Sequence, residues 1–258
     1  IQSGRSLKEP AMAVLAADAL RELATAERLE TLFQELHTNQ QGKQKEAAHT
    51  LGRLGIAPVE RLLDMLRDSD DSDERVRILQ VISEIGVPSI PVITARIIMS
   101  EPWYVLRNLV YILGRVGGEA QAIDLAPLLL HENQKVQSEA MKSLQRIGGK
   151  VRAETLLSVL PKADATFKMS IVEMLGTIKA VGAVPALVAL LCSKSSASMK
   201  SDLDEKICMA LANIGSEEAL PALKEIASSK GFFTVSSYKE KVKLAADKAI
   251  AAITRRKQ

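Results

Sequence analysis

Aromatic side chains are scarce in this chain of 258 residues: four Phe, three Tyr and one Trp. A sheet sandwich fills its core from aromatic and β-branched strands. The core here must come from Ala, Leu, Ile and Val instead, which suit closely packed helices. Cysteine is rarer still, and two residues make no disulfide framework, so a reducing compartment is expected. The three histidines, His37, His49 and His131, are too few and too scattered for a metal cage. Neither sign of charge dominates. With 34 basic and 31 acidic residues the formal net charge is +3, which gives a nucleic acid no strong electrostatic handle. No apolar run approaches the ~18–20 residues that cross a bilayer, and the most apolar stretch, 85–98, is interrupted by Pro88, Pro91 and Arg96. A glycine-rich phosphate loop is also missing, because the glycines stand where helices should end. The chain opens Ile-Gln-Ser-Gly-Arg, without a methionine or a charged-then-apolar leader pattern, and so reads as a segment of something longer.

What the sequence does have is a period. Gly55, Gly86, Gly117 and Gly148 stand at a constant spacing of 31 residues. Four residues before each glycine come Leu51, Ile82, Leu113 and Leu144. One before it come Leu54, Ile85, Val116 and Ile147, and eight before it Ala47, Ile78, Leu109 and Ala140. The same step leads to Ile171, Leu175 and Ile178, with Lys179 where the glycine is expected. Later copies follow at longer steps: Ile207, Leu211, Ile214 and Gly215, then Ala246, Ile250 and Ile253. Apolar columns at i, i+4 and i+7 define one face of a helix, and their recurrence defines a repeat array. The stretch from Glu101 to Gly117 is one such helix, opened by Pro102 and stopped by Gly117-Gly118.

A second helix follows each repeat's glycine, visible in Val59, Leu62, Leu63 and Leu66, in Val184, Leu187, Leu190 and Leu191, and in Leu220 and Leu223. Prolines 58, 88, 185 and 221 fall at the starts of these second helices, where a missing N–H costs little. A lone helix pair cannot bury its apolar face, so the pairs must stack into an α-solenoid. Before the array, residues 9–24 and 27–37 show helical spacing of leucines. The expected organisation is therefore an N-terminal helical extension or cap over 1–40 and a repeat solenoid over 41–258.

Ala47-Ala48-His49-Thr50-Leu51-Gly52-Arg53-Leu54-Gly55 resembles the core motif of the short HEAT repeats first noted in phycobilisome lyases. So do residues 136–148 and Ala183-Val184-Pro185-Ala186-Leu187, and the resemblance spans roughly 43–253. It implies an all-α, right-handed α-α superhelix of the HEAT/armadillo-like type with about six to seven helix pairs, the second helices lining its concave face. For function it implies a non-enzymatic protein–protein interaction scaffold of the bacterial cytoplasm. That scaffold would be monomeric and without cofactor, its partner another protein or a neighbouring domain of the same chain. The alternative is an accessory phycobilin-lyase-like protein or maturation chaperone, and the third reading a HEAT-like nucleic-acid-binding protein.

The chemistry of related folds is not matched. Deoxyhypusine hydroxylase holds two irons through His-Glu pairs on its repeat helices, but Lys45-Glu46 and Ser138-Glu139 stand at the corresponding positions here. His131-Glu132 falls in a turn and has no second copy. A HEAT-like alkylpurine glycosylase needs a cationic groove, whereas the second helices mix charges: Glu60, Arg61 and Asp64, then Arg152 and Glu154, then Lys224 and Glu225. Basic residues recur two before the glycine at Arg53, Arg115 and Arg146. Glu84, Thr177 and Asn213 break that ladder, which reads as a solvated edge. Cys192 and Cys208 are expected as buried structural thiols.

Two groups remain as candidate partner-binding residues. The first is Trp103, Tyr104, Arg107 and Asn108, whose opening looks like that of bacterial HEAT-repeat proteins. Asn108 occupies the column that holds Arg77 and Glu139 in neighbouring repeats. These side chains are either packing groups, Trp103 over the preceding repeat and Arg107 and Asn108 on the adjacent turn, or a ligand site. The second group is Phe232, Phe233 and Tyr238 in an insertion spanning 229–239, which either cap the core or form an exposed hook. Another insertion, 193–203, lengthens the preceding turn with serines and lysines.

Overall fold

The computed structural model describes residues 25–38, 40–99, 101–193, 199–229 and 239–255, and among these every regular element is a helix. The chain falls into two compact units, residues 1–148 and 149–258.

In the N-terminal unit, α1 (Ala26–His37) packs on α2 (Gln41–Arg53), which is followed by α3 (Val59–Asp68). The pair α4 (Ser72–Ile85) and α5 (Ile90–Ile98) follows, then α6 (Trp103–Val116) and α7 (Gln134–Ile147). The first helices lie side by side, α2 on α4, α4 on α6 and α6 on α7. Their starts are written locally: Asp71 accepts from the Asp73 N–H at 2.9 Å and Asn133 from the Lys135 N–H at 2.9 Å. His37 pairs with the buried Glu74 and ties α1 to α4.

The apolar columns do what their spacing predicts. Ala47, Ile78, Leu109 and Ala140, and Leu51, Ile82, Leu113 and Leu144, are all fully buried. The column next to the glycine is only partly covered, since Val116 and Ile147 at the helix ends are half-exposed. The third repeat departs from expectation. After Gly118 its chain forms two 3-10 segments, Glu119–Leu125 and Leu128–Leu130, in place of an α-helix. Pro127 sits in the middle of that stretch, not at its start, and withholds the N–H that an α-helical ladder needs.

The C-terminal unit contains α8 (Val151–Val159), α9 (Ala165–Thr177), α10 (Val184–Cys192), α11 (Lys200–Ile214), α12 (Leu220–Ser228) and α13 (Glu240–Arg255). Here α9 packs on α11, and α11 on α13. The insertion expected over 193–203 is shorter than anticipated, because Lys200 already begins α11. Its ammonium pairs with Asp204 and donates to the Leu190 and Leu191 carbonyls at 3.1 and 3.2 Å, so it closes the end of α10. Lys179, standing in the glycine column, adopts φ 52°, close to the φ 67° of Gly55. The turn keeps its left-handed geometry even where the sequence offers a side chain that resists it.

A second glycine column went unread in the sequence. Gly52, Gly114 and Gly176 lie three residues before the repeat-ending position in alternate repeats. Each sits where two first helices touch. A Cβ on Gly114 would lie 2.4 Å from Ser143 Cβ and 2.7 Å from its Cα, and one on Gly176 would lie 2.7 Å from Ala210 Cα. Among the described residues no single helix is long and apolar enough to cross a membrane; the nearest approach is the pair Ser72–Ile85 and Val87–Ile98, bent by 106°.

Candidate functional site

The most distinctive surface of the N-terminal unit is a groove of about 550 Å³ between α4 and α6. The α4 wall offers Ser72, Arg75, Val76, Leu79, Gln80 and Ser83, positions three or four apart that bring one edge of the helix to the groove. The α6 wall offers Arg107, Asn108, Tyr111 and Arg115 in the same register. Three guanidinium groups therefore line one groove, and no carboxylate does. Arg75 donates to the Ser69 carbonyl at 2.8 Å and Arg115 to the Tyr111 hydroxyl at 3.1 Å, which leaves most of their N–H groups open. Among the described residues none of the three makes an ion pair.

Tyr111 is the centre of this arrangement. Arg115 lies over its ring at 5.7 Å and Arg146, from α7, at 5.2 Å. Arg146 is held in turn by the buried Glu139 at 3.1 Å. The arginine ladder expected as a solvated edge is thus, in the third and fourth repeats, a pair of cations gathered on one aromatic ring. Tyr111 was not singled out in the sequence. Its signal was available in the stripe Tyr104, Arg107, Asn108, Tyr111 and Arg115, which runs at helical spacing along the polar edge of an otherwise apolar helix.

Trp103 and Tyr104 stand exposed one turn earlier on α6. Their rings meet edge to face with centroids 6.0 Å apart, and Lys135 of α7 lies over the Trp103 ring at 4.8 Å. Trp103 therefore leans toward the following repeat, not the preceding one as expected. The reason is the cation that α7 presents there. Arg107 is exposed and Asn108 half-buried in the groove wall, so both face the groove and not an adjacent turn. The column holding Arg77, Asn108 and Glu139 has no common role: Asn108 lines this groove, whereas Glu139 is buried against Arg146. Arg77 lines a second groove of about 440 Å³ between α2 and α4, but that one mixes Lys45, His49 and Arg77 with Glu84. Phe232, Phe233 and Tyr238 lie outside the described residues.

The thiols separate. Cys208 is buried as expected, and burial together with Asp204 pushes its thiol up to about 12. Cys192 is exposed, contrary to expectation, because it ends α10 beside the chain's turn and not on its packed side. Burial of its sulfur and the nearby Glu225 still raise its thiol above the ordinary range. Among the described residues no cluster of three His, Cys, Asp or Glu side chains comes together as a metal site.

A family model of HEAT repeats matches residues 153–237. This stretch is HEAT-repeat. The N-terminal unit carries the same apolar columns and helix-ending turns in residues 41–148, so the all-α HEAT-like solenoid fold read from the periodicity holds. No curated protein sequence matches the chain significantly. Among solved structures it is similar to human deoxyhypusine hydroxylase in complex with glycerol, at 20% identity over 93% of this chain and 88% of that one, with a TM-score of 0.45. It is also similar to the complex of CpcE and CpcF of phycocyanin lyase from Nostoc sp. PCC7120, at 16% identity over 93% and 89%, with a TM-score of 0.31. At such scores no chemistry transfers from either protein. The groove between the first helices of neighbouring helix pairs has to be read on its own residues.

Proposed function

We propose that this chain is a non-enzymatic protein-interaction module built of HEAT repeats, with residues 1–40 as its N-terminal cap and another protein, or a neighbouring domain of the same chain, as its partner. The observation that carries this reading is the exposed pair Trp103 and Tyr104, on the same helix as the groove-lining Arg107 and Arg115. Trp, Tyr and Arg are the residues that most often dominate the energetics of protein interfaces. Here the aromatic pair is already ordered by its edge-to-face contact and by Lys135, so binding would cost little further side-chain entropy. A reducing compartment such as the cytoplasm suits the free thiols Cys192 and Cys208.

The test compares the immobilised protein with its Trp103→Ala/Tyr104→Ala variant in capture from a cell extract, with mass spectrometry of what is retained. The reading expects at least one protein held by the parent and lost by the variant. Two indistinguishable sets would overturn it, provided circular dichroism shows the variant folded.

A further inference from the structure

Resting on that reading, we infer that the groove between α4 and α6 takes a short, extended, acidic segment of a partner protein. The argument starts from charge. Arg75, Arg107 and Arg115 face one groove that no carboxylate lines, although the chain as a whole carries 31 acidic residues. Helices α6 and α7 concentrate this asymmetry. They hold Arg107, Arg115, Lys135, Lys142 and Arg146 against a single acid, Glu139, which is buried and committed to Arg146. Guanidinium groups bind carboxylates in paired, parallel hydrogen bonds. Arg115 is already oriented by its contacts with Tyr111, which reduces the freedom it would lose on binding.

Length selects the kind of acid. From Ser72 to Ser83 the α4 wall runs about three turns, roughly 16 Å at 1.5 Å per residue. An extended peptide at about 3.3 Å per residue fills that span with about five residues. Between the arginines lie Val76, Leu79 and the Tyr111 ring, apolar enough to bury the stems of acidic side chains. A nucleic-acid strand fits this surface less well. The Ser72 end of the groove lies among the exposed Asp70, Asp71 and Asp73, and the neighbouring groove presents Glu84, so a longer polyanion meets repulsion at its next phosphates.

The probe is a fluorescein-labelled, acetylated penta-glutamate peptide, followed by anisotropy and by the emission of Trp103, the chain's one tryptophan. Saturable binding is expected, weakening as salt rises from about 50 to 300 mM and falling at least about tenfold in Arg75→Gln/Arg107→Gln/Arg115→Gln. A charge-matched control, Lys162→Gln/Lys224→Gln/Lys248→Gln, removes the same number of exposed cations from the C-terminal unit and should bind as the parent does. If the triple arginine variant melts early, Arg107→Gln alone replaces it, since Arg107 is exposed and makes no ion pair among the described residues. Equal loss in both variants, or no binding to the parent, would overturn the proposal. So would tighter binding of a thymidine oligonucleotide of about ten nucleotides, which would mark the groove as a nucleic-acid surface. The interaction-module reading fails separately, because its own test turns on Trp103 and Tyr104.

Discussion

Replacing Gly114 by alanine sets two physical effects against each other in the middle of α6. Helix propensity alone favours the change, since glycine in a helix interior costs about 1 kcal/mol relative to alanine. Packing opposes it. The new methyl would sit 2.4 Å from Ser143 Cβ and 2.7 Å from Ser143 Cα, where carbon atoms prefer roughly 3.5–4.0 Å. A rotation of the serine hydroxyl does not help, because Cα and Cβ do not move with it. The hydroxyl is also committed, donating to the Val110 carbonyl at 2.9 Å in a buried position. The two helices must therefore part by about 1 Å along a seam that includes the fully buried Val110, Leu113, Ala140 and Leu144. Overpacking of this kind costs about 3 kcal/mol at the upper end of its usual range. Less the propensity gain, Gly114→Ala should lose about 2 kcal/mol.

Urea unfolding read by Trp103 fluorescence, which lies on the same helix, measures this directly. Gly42→Ala serves as the control, because Gly42 is exposed near the start of α2 and a Cβ there meets nothing within 4 Å. That variant should stay within about 0.5 kcal/mol of the parent. Ser143→Gly combined with Gly114→Ala removes the worst overlap and should show a favourable coupling of about 1 kcal/mol. A Gly114→Ala protein as stable as the parent would refute the close approach of α6 and α7.

Further outcomes are expected. Leu113→Ala, at a fully buried position in the central column, should lose about 2–5 kcal/mol in the same denaturation assay. Lys179→Gly should gain about 0.5–1 kcal/mol by relieving a left-handed backbone, whereas Gly148→Ala, at φ 71° with open space around it, should lose about 1–2 kcal/mol from the backbone alone. Ellman's reagent near neutral pH should titrate the exposed Cys192 in the folded protein and reach Cys208 only on unfolding. Because the fold favours the protonated Cys208, its stabilising contribution is complete below the ordinary thiol value of 9.0 and is lost as pH rises toward about 12, visible as a falling melting temperature over that window. Deleting residues 239–258 should expose the α11 and α12 surfaces now covered by Val242, Ala246 and Ile253, and the truncated protein should self-associate in analytical ultracentrifugation.

The helix pairs and their buried sides were written in the sequence. A column such as Ala47, Ile78, Leu109 and Ala140 needs only the 3.6-residue turn to place its members on one face, and that geometry is local to each helix. The end of the first helix at Lys179 was legible for a similar reason, but its left-handed backbone was not, since Gly117 in the same column ends α6 at φ −76°. Cys192 was misjudged because periodicity tells which side of a helix packs but not how far cover extends past its last turn. The groove was decided by tertiary structure. Arg75 is separated from Arg107 by a whole repeat, and along the chain their charges are diluted by the acids between them. They face one groove from its two walls because α4 and α6 lie side by side, an arrangement that depends on residue sizes on both helices at once. The same holds for Arg115 and Arg146, which meet on Tyr111 because Gly114 lets α7 come close. A repeat pattern records which side of each helix is apolar. The distance and rotation between neighbours, which bring polar edges together, follow only when both surfaces are packed.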